Sequence, residues 1–340
     1  MSDDLKPILG LIADGKTLSA DEAESAFNII MSGDAQESQI GAFLMGLRMR
    51  GETVDEITGA VRTMRAKATM ISAPANAMDI VGTGGDGAGT YNISTGTAFV
   101  VAGCGIPVAK HGNRAVSSKS GASDVLSVLG VNLDADFSLI EKAISDAGIG
   151  FLMAPRHHSA MRFVGPVRAA LGVRTIFNIL GPMSNPAGVK RQFTGVYAKE
   201  LAEPMAQTLM NMGCEAAWVV HGSDGLDELT TTGPSHVVAL KDGKISQFDV
   251  SPEDAGLPRA SAKDLEGGDA EENADAIRRL FAGDKGPYRD IVVFNAAASL
   301  IVAGFADDLK QGAAMAGAAI DEGKAQAALD GLIKITNSAA

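Results

Sequence analysis

The sequence predicts an α/β protein with a small all-helical domain and a larger domain whose mixed, mostly parallel sheet is flanked by helices. Two observations support this fold class. Only helical patterns occur in the first 71 residues, whereas from residue 78 onward short apolar runs alternate with helical patterns. Such alternation is typical of parallel strands covered by helices. We therefore predict a helical domain over residues 1–71, joined by the segment of about 160–187, and an α/β domain over residues 72–340.

The helical domain is predicted from its start and stop signals. Ser19 with Glu22 and Thr53 with Glu56 form two capping boxes, each just before an apolar run of helical period. Between them the run SQIGAFLMGLRMR is amphipathic and ends at Gly51. The Pro/Ala stretch SAPANA at 72–77 then separates these helices from the first strand.

The larger domain is predicted from five short apolar runs that are separated by helical patterns. These runs are MDIVG (78–82), IPVAK (106–110), IGFLM (149–153), FTGVY (193–197) and AAWVV (216–220). Residues 236–250 form two strand patterns around Asp242-Gly243, which is a hairpin signal. Helical patterns follow up to about residue 336, and the stretch 160–185, which lies between strands, also has a helical pattern.

Composition excludes several classes of protein. The 340 residues include 29 Lys and Arg against 41 Asp and Glu, a net charge of −12, which argues against a protein that coats nucleic acid. Cys104 and Cys214 show neither metal-ligand nor disulfide spacing, which is typical of a reducing compartment. With no signal-peptide pattern and no apolar run of about 20 residues, we expect a cytoplasmic protein that does not enter a membrane.

The first candidate binding motif is GTGGDGAGTYNIST, residues 82–95, between a predicted strand and a predicted helix. Glycine-rich backbone at such a turn exposes N–H groups to an anion, and the helix N-terminus adds its dipole. Gly82, Gly84 and Gly87 match G-x-G-x-x-G, but Lys110 and His111 stand where a dinucleotide site needs an acidic residue. The Gly-Lys-Ser/Thr ending of a Walker A loop is missing too. The motif predicts a phosphate loop; the alternative is a glycine-rich turn without a ligand.

The second motif is KHGNRAVSSKSG, residues 110–121, which brings four basic residues together in an acidic protein. It also follows a short predicted strand. The carboxyl ends of neighbouring parallel strands meet at one sheet edge, where ligands of open α/β sheets bind. We therefore expect the two loops to face each other there. The alternative is a solvated basic loop.

Two further motifs carry charge of opposite sign. In residues 154–187, Arg156, Arg162, Arg168 and Arg174 are candidates for a bidentate grip on a carboxylate, and the residues alone leave open which one binds. His157-His158 lacks metal-ligand spacing. In residues 221–235, Asp227 and Glu228 follow a buried strand and offer the hard oxygen ligands that Mg²⁺ prefers. We expect this pair to face solvent; the alternative is an acidic turn without metal.

Taken in order, GTGGDG, NIST, KHGNR, the Gly-Ala-Ser-Asp at 121–124, VGPVRAALGVRTIFNILGP and HGSDGLDE resemble the anthranilate phosphoribosyltransferase family over nearly the whole chain. The resemblance implies a nucleoside phosphorylase/phosphoribosyltransferase-like fold with a discontinuous helical domain, a homodimer and Mg²⁺. It implies the transfer of the phosphoribosyl group of 5-phosphoribosyl 1-pyrophosphate to the amine of anthranilate, with release of pyrophosphate, in tryptophan biosynthesis.

The resemblance also implies site residues. Anthranilate would contact Gly82, Asn113 and Arg168, and Mg²⁺ would bind Ser94, Asp227 and Glu228. The family often has Gly-Ser-Ala-Asp where this chain has Gly-Ala-Ser-Asp, so Ala122 would contribute backbone only. Phosphoribosyl pyrophosphate would be held by Gly82, Gly85, Asp86, Thr90, Asn92, Ile93, Ser94, Thr95, Lys110, His111, Gly112, Asn113, Arg114, Ala115, Val116, Ser117, Ser118 and Ala122.

No catalytic group is certain from the sequence. His111 is the nearest candidate for a late proton acceptor, with a packing or substrate-contact role as the alternative reading. Two other functions remain open: a pyrimidine nucleoside phosphorylase of shared architecture, and a non-catalytic sensor of a phosphate ligand. The DGLDE run and the segment around Arg168 argue against the first, and the acidic residues at 227–228 argue against the second.

Overall fold

The computed structural model describes residues 4–113 and 120–339. Helices come first, then strands alternate with helices, and a helical C-terminal part ends the chain. Short 3₁₀ helices lie at Ser159–Phe163, Lys199–Leu201, Pro252–Ala255 and Ala262–Leu265. The α-helices are α1 Lys6–Ala13, α2 Ala20–Ser32, α3 Glu37–Arg50, α4 Val54–Ala66, α5 Ile93–Gly103, α6 Ala122–Val128, α7 Phe137–Asp146, α8 Ala154–His157, α9 Gly165–Leu171, α10 Phe177–Met183, α11 Ala202–Asn211, α12 Ala270–Phe281, α13 Pro287–Ala303, α14 Leu309–Asp321 and α15 Lys324–Thr336.

The strands of the described residues form one sheet in the order β3-β2-β1-β4-β5-β6-β7. Neighbours from β3 to β5 pair in parallel, and β6 and β7 add an antiparallel hairpin. The predicted fold class, a helical part plus a mixed, mostly parallel sheet flanked by helices, is confirmed. The strands are β1 Met78–Gly82, β2 Val108–Gly112, β3 Ile149–Met153, β4 Arg191–Gly195, β5 Ala216–Gly222, β6 Ser235–Lys241 and β7 Lys244–Val250.

Both predicted capping boxes are present. Ser19 and Thr53 accept hydrogen bonds from the N–H groups of Glu22 and Glu56, whose carboxylates reach back to the cap backbone. Each box satisfies N–H groups that have no partner within the helix. The residue pattern therefore sets where α2 and α4 begin.

The helices of 165–183 pack on the N-terminal helices. The ring of Phe27 in α2 makes edge contacts with Phe43 of α3, at 5.3 Å between centroids, and with Phe177 of α10, at 5.6 Å. Val164 and Leu180 are fully buried in the same apolar cluster, which continues through α11 to one face of the sheet. The opposite face is covered by α5 and α13 to α15.

The connection order places a crevice at the centre of the sheet. From β1 the chain proceeds outward through β2 and β3, then returns to the other side of β1 and continues through β4 and β5. The order of strands therefore reverses between β1 and β4, and ligands of open α/β sheets bind outside the carboxyl ends of strands at such a point. In the described residues, no helix is long and apolar enough to span a bilayer.

Candidate active site

The glycine-rich segment after β1 forms the first wall of the crevice. Gly84, Gly85, Gly87 and Gly89 have φ values of 67°, 75°, 75° and 63°, a region that residues with a Cβ rarely adopt. Thr83 fastens the start of the segment to β4, because its N–H donates to the Gly195 carbonyl at 3.0 Å. The segment is thus a backbone loop held at the switch point of the sheet, which is the place between β1 and β4 where the order of strands reverses.

The start of α5 follows the glycine-rich segment directly. Ile93 and Thr95 are 2% and 0% exposed, so neither presents a side chain to solvent. The Asn92 side chain accepts a hydrogen bond from Asn273 at 2.8 Å and does not cap the helix. The Ser94 N–H donates to Glu228, so this first turn already holds a carboxylate, while the Ser94 side chain stays partly exposed.

Asp227 and Glu228 reach this point from the loop after β5. The Oδ2 atom of Asp227 accepts a hydrogen bond from the Gly84 N–H at 2.7 Å. A Cβ added at Gly82 would lie 2.3 Å from that oxygen, and one added at Gly195 would lie 1.5 Å from the carbonyl oxygen of Asp227. Asp227 therefore occupies the space left by glycines at the ends of β1 and β4.

The expectation that this acidic pair faces solvent is wrong. Glu228 is only 8% exposed, and Asp227 is partly covered. The loop folds inward because the Asp224 carboxylate accepts hydrogen bonds from the hydroxyls of Thr230 and Thr232, at 2.6 and 2.7 Å. A sequence pattern of charged residues in a turn does not reveal such a closure.

Burial makes the site electrostatically unbalanced. Burial, with a smaller contribution from the charge of Asp86, raises the pKa of Asp227 to about 7. Burial and then the charge of Asp227 raise the pKa of Glu228 well above its usual range, although a backbone hydrogen bond from Ser94 opposes the rise. The charges of Asp79, Glu228 and Asp227 all act on one ammonium group, that of Lys110.

This donor set fits a hard divalent cation. Mg²⁺ takes one or two carboxylates from a protein and completes its shell with water and phosphate oxygens. Among the described residues no group of three or more His, Cys, Asp or Glu side chains is arranged to hold a metal by itself. Two adjacent carboxylates of raised pKa, with the Ser94 hydroxyl nearby, offer fewer ligands than such a cation takes, so substrate oxygens would have to complete its shell.

Lys110 and His111 lie inside β2 and not after it. They are each 3% exposed, so the alternative of a solvated basic loop does not hold for these two residues. The Lys110 ammonium donates to the Ile80 carbonyl at 2.6 Å and to the Ser94 hydroxyl at 3.2 Å. Burial lowers the pKa of Lys110, while the carboxylates of Asp79 and Glu228 oppose this.

His111 is a neutral ring. Its Nδ1 is 3.1 Å from the Gly181 carbonyl, and its ring lies edge-on to His158 at 5.1 Å. Burial, followed by the neighbouring His158, lowers its pKa to about 3. A bond to a carbonyl requires a proton on Nδ1, which leaves Nε2 as an acceptor of low basicity.

The four arginines of residues 154–187 have different surroundings. Arg156 donates to the carbonyls of Leu133 and Ala135, at 2.8 and 2.7 Å, and is therefore structural. Arg162 lies 4.6 Å from the Phe163 ring centroid. Arg168, half-buried in α9, lies 5.6 Å from the Phe177 ring centroid.

Arg174 makes contacts that the sequence did not predict. Its guanidinium donates to the Gly85 carbonyl and lies 4.0 Å from the ring centroid of Tyr197. It thereby joins the loop between α9 and α10 to the glycine-rich segment. Only its place among four arginines pointed to it.

The remaining predicted residues lie around the end of β2. Asn113 is exposed there, Gly112 is packed so closely on Phe151 that an added Cβ would be 2.6 Å from the ring, and Ala122 begins α6. Gly85, Asp86 and Thr90 lie in the glycine-rich segment. Arg114, Ala115, Val116, Ser117 and Ser118 are outside the described residues.

Comparison with known proteins identifies the class of protein to which this chain belongs. Residues 6–68 match the helical bundle domain of a glycosyl transferase family, and residues 74–326 match the a/b domain of that family. The anthranilate phosphoribosyltransferase of Azospirillum brasilense is 63% identical over 335 residues, 98% of this chain and 94% of that protein. That of Rhodospirillum rubrum is 60% identical, covering 100% and 98%. The chain belongs to the anthranilate phosphoribosyltransferase family, as the sequence motifs predicted.

Solved structures agree with this assignment. The anthranilate phosphoribosyltransferase of Thermus thermophilus matches with a TM-score of 0.93 and 41% identity, over 97% of this chain and 99% of that one. The Saccharomyces cerevisiae enzyme in complex with phosphoribosyl pyrophosphate and Mg matches with 0.90 and 28%, over 100% of both. The yeast enzyme in complex with 4-fluoroanthranilate matches with 0.89 and 26%, also over 100% of both.

Proposed function

We propose that this chain transfers the phosphoribosyl group of 5-phosphoribosyl 1-pyrophosphate to the amine of anthranilate, giving N-(5-phosphoribosyl)anthranilate and pyrophosphate, in tryptophan biosynthesis. The observation that carries the proposal is the position of Asp227 between Gly82 and Gly195, bonded to the Gly84 N–H, at the switch point of the sheet. That arrangement combines an anion loop with a carboxylate pair. The full-length relatives named above support the substrate assignment.

The pyrophosphate donor is assigned to the crevice between β1 and β4. Glycine-rich backbone and a helix N-terminus meet there, and both favour an anion. The Lys110 ammonium supplies the buried positive charge. We assign residues 82–95 to one side of the donor and residues 110–118, with Ala122, to the other.

Mg²⁺ is assigned to Asp227, Glu228 and the Ser94 hydroxyl, with the donor's phosphate oxygens completing the shell. The two carboxylates repel each other and have raised pKa values, so a divalent cation relieves an unfavourable arrangement. When bound, the ion neutralises charge on the leaving pyrophosphate. The yeast relative was solved with phosphoribosyl pyrophosphate and Mg.

The acceptor is assigned to the side of Arg168, with Asn113 and Gly82. An aniline amine is neutral at pH 7, so it needs orientation more than deprotonation before it attacks C1 of the ribose. As pyrophosphate leaves, positive charge grows on the ribose, as in glycoside hydrolysis. A His111 pKa of about 3 favours substrate contact or packing over proton acceptance for this ring.

The organisation of the protein is also part of the proposal. We assign residues 1–71 and about 160–187 to one helical domain, since Phe27 and Phe177 share a core, and the rest to an α/β domain. We propose a homodimer in the cytoplasm.

The activity is tested by mixing the purified protein with anthranilate, phosphoribosyl pyrophosphate and Mg²⁺. Loss of anthranilate fluorescence with equimolar pyrophosphate release is expected. Phosphorolysis of a pyrimidine nucleoside without loss of anthranilate would indicate the nucleoside phosphorylase alternative. Binding of the donor with no turnover would indicate a sensor.

A further inference from the structure

Strands β1 and β2, which precede the two predicted phosphate-binding motifs, are incompletely paired with each other. β2 pairs with β3 at five positions, Val108 to Gly112, and β1 pairs with β4 at five positions, Met78 to Gly82. Between β1 and β2, only Met78 and Val108 lie opposite each other as a pair. Buried backbone groups in a sheet interior need hydrogen-bond partners, so other atoms must bond to the backbone in the carboxyl halves of these strands.

Side chains form these hydrogen bonds with the backbone. The Asp79 Oδ1 accepts a hydrogen bond from the His111 N–H at 3.0 Å, and the Lys110 ammonium donates to the Ile80 carbonyl at 2.6 Å. The Asn185 amide donates both to Asp79 Oδ2, at 2.7 Å, and to the Ala109 carbonyl, at 2.8 Å. A polar wedge, defined as Asp79, Lys110 and Asn185, thus replaces ladder hydrogen bonds between β1 and β2.

Each member of the polar wedge is buried: Asp79 is 0%, Asn185 is 1% and Lys110 is 3% exposed. Buried charged groups seldom stabilise a protein more than apolar residues of the same volume would. A wedge of this kind in the centre of a sheet is therefore a feature that stability alone does not explain.

The position of the wedge supplies an explanation. The Lys110 ammonium, on which the charge of Asp79 acts, donates to the Ser94 hydroxyl at 3.2 Å, and Asp79 fixes the backbone of His111 just before the chain leaves the sheet. Asn185 belongs to the segment after α10 and is tied there by the Ala187 N–H at 2.8 Å. The wedge therefore joins β1, β2 and that segment.

We propose that Asp79 and Asn185 are positioning residues for the pyrophosphate donor, which act by holding Lys110 and the end of β2 in place. This inference rests on the proposed function for the identity of the donor. It concerns residues that do not touch the reacting atoms: their effect passes through Lys110.

The principal test is Asp79→Asn, which keeps the shape of the side chain. Whichever way the new amide turned, its nitrogen would meet a donor, either the Asn185 amide or the His111 N–H. The charge of Asp79 that acts on Lys110 would also be lost. Because displacements near 1 Å can cost about a hundredfold in rate, we expect the KM for phosphoribosyl pyrophosphate to rise about tenfold or more. The KM for anthranilate should change much less.

The matched control is Glu56→Gln in the helical part. Glu56 is also a carboxylate of 0% exposure that accepts backbone N–H groups, from Leu18 and Thr53, each at 2.9 Å. This control should lower the melting temperature without changing the KM for the donor. A donor KM that stays at the wild-type value in Asp79→Asn, or that rises equally in Glu56→Gln, would overturn the proposal.

A second variant and a second readout keep the proposal testable. If Asp79→Asn does not fold, Asn185→Ala removes two amide donors and leaves the carboxylate in place; a donor KM raised severalfold supports the proposal, and an unchanged one overturns it. The affinity of each protein for pyrophosphate with Mg²⁺, measured by calorimetry, needs no turnover. If the wild-type protein is inactive, the proposed function fails, while this affinity still tests the wedge.

Discussion

Gly82→Ala tests whether the placement of the Asp227 carboxylate controls the reaction. The added Cβ would lie 2.3 Å from Asp227 Oδ2, whereas Cβ atoms essentially never come within 3.0 Å of another heavy atom and ordinary contacts begin at 3.4 Å. The carboxylate must therefore move by about 0.7–1.1 Å and give up its 2.7 Å hydrogen bond from Gly84. A misplacement of this size costs about a hundredfold in rate at a well-ordered site.

The assay for this variant is the initial rate at varied Mg²⁺ concentration, together with the melting temperature. We expect kcat/KM to fall about a hundredfold, with more Mg²⁺ needed for half-maximal rate, because the displaced group is a proposed metal ligand. The cost in stability should be modest, about 1–3 kcal/mol, since the clash is with the end of a side chain. Wild-type rate and Mg²⁺ dependence would refute this reasoning.

Two further glycine variants provide a more severe and a harmless comparison with Gly82→Ala. In Gly195→Ala the Cβ would be 1.5 Å from a backbone oxygen of Asp227, so we expect a larger fall in melting temperature as well as loss of activity. In Gly10→Ala, in helix α1, the Cβ meets nothing within 4 Å, and kinetics should not change. A Gly195→Ala protein as stable as Gly82→Ala would show that the loop after β5 yields easily.

Asp227→Asn and Glu228→Gln should each slow turnover and raise the Mg²⁺ requirement, most in the double variant; wild-type Mg²⁺ dependence in the double variant would place the metal elsewhere. Arg168→Ala should raise the KM for anthranilate through the loss of about 1.5–3 kcal/mol while the donor KM stays near wild type, with Arg162→Ala as the control. Equal damage to both substrates would count against that role. Burial lowers the pKa of His158 to about 4, so between about pH 6.5 and 4 the unfolded chain binds a proton that the folded chain does not. Stability to urea should therefore fall as the pH drops through this window, and His158→Gln should reduce that fall; an unchanged slope would contradict the burial argument.

The sequence predicted the strands best where apolarity and pairing coincide. β1 and β3 lie at the predicted 78–82 and 149–153. β2 and β4 were each displaced by two residues: β2 was predicted at 106–110 and lies at Val108–Gly112, and β4 was predicted at 193–197 and lies at Arg191–Gly195. Their bounds follow the partner strands, so β2 extends past Lys110 to the polar His111 and to Gly112, which an apolar run cannot indicate.

The candidate site was predicted by residue type more than by environment. Asp227 was singled out for its chemistry, but its burial depends on glycines 82 and 195, which lie far from it in sequence. Asp79 has the pattern of an ordinary polar residue at a strand start, and Asn185 that of a turn residue. Their contact joins positions 106 residues apart, which local patterns do not predict.

The switch point explains why glycine ends two neighbouring strands. A side chain at the carboxyl end of a parallel strand would project into the crevice, and at Gly82 and Gly195 that volume is taken by Asp227, which arrives from the loop after β5. Three connections therefore meet in one place. The loop after β1 supplies the Gly84 N–H, the end of β4 has no side chain because it is Gly195, and the loop after β5 supplies the Asp227 carboxylate. A carboxylate so enclosed is held in one position but loses hydration, and its pKa rises to about 7 for that reason. The same packing therefore orients the group and raises the gain in free energy when a cation neutralises its charge.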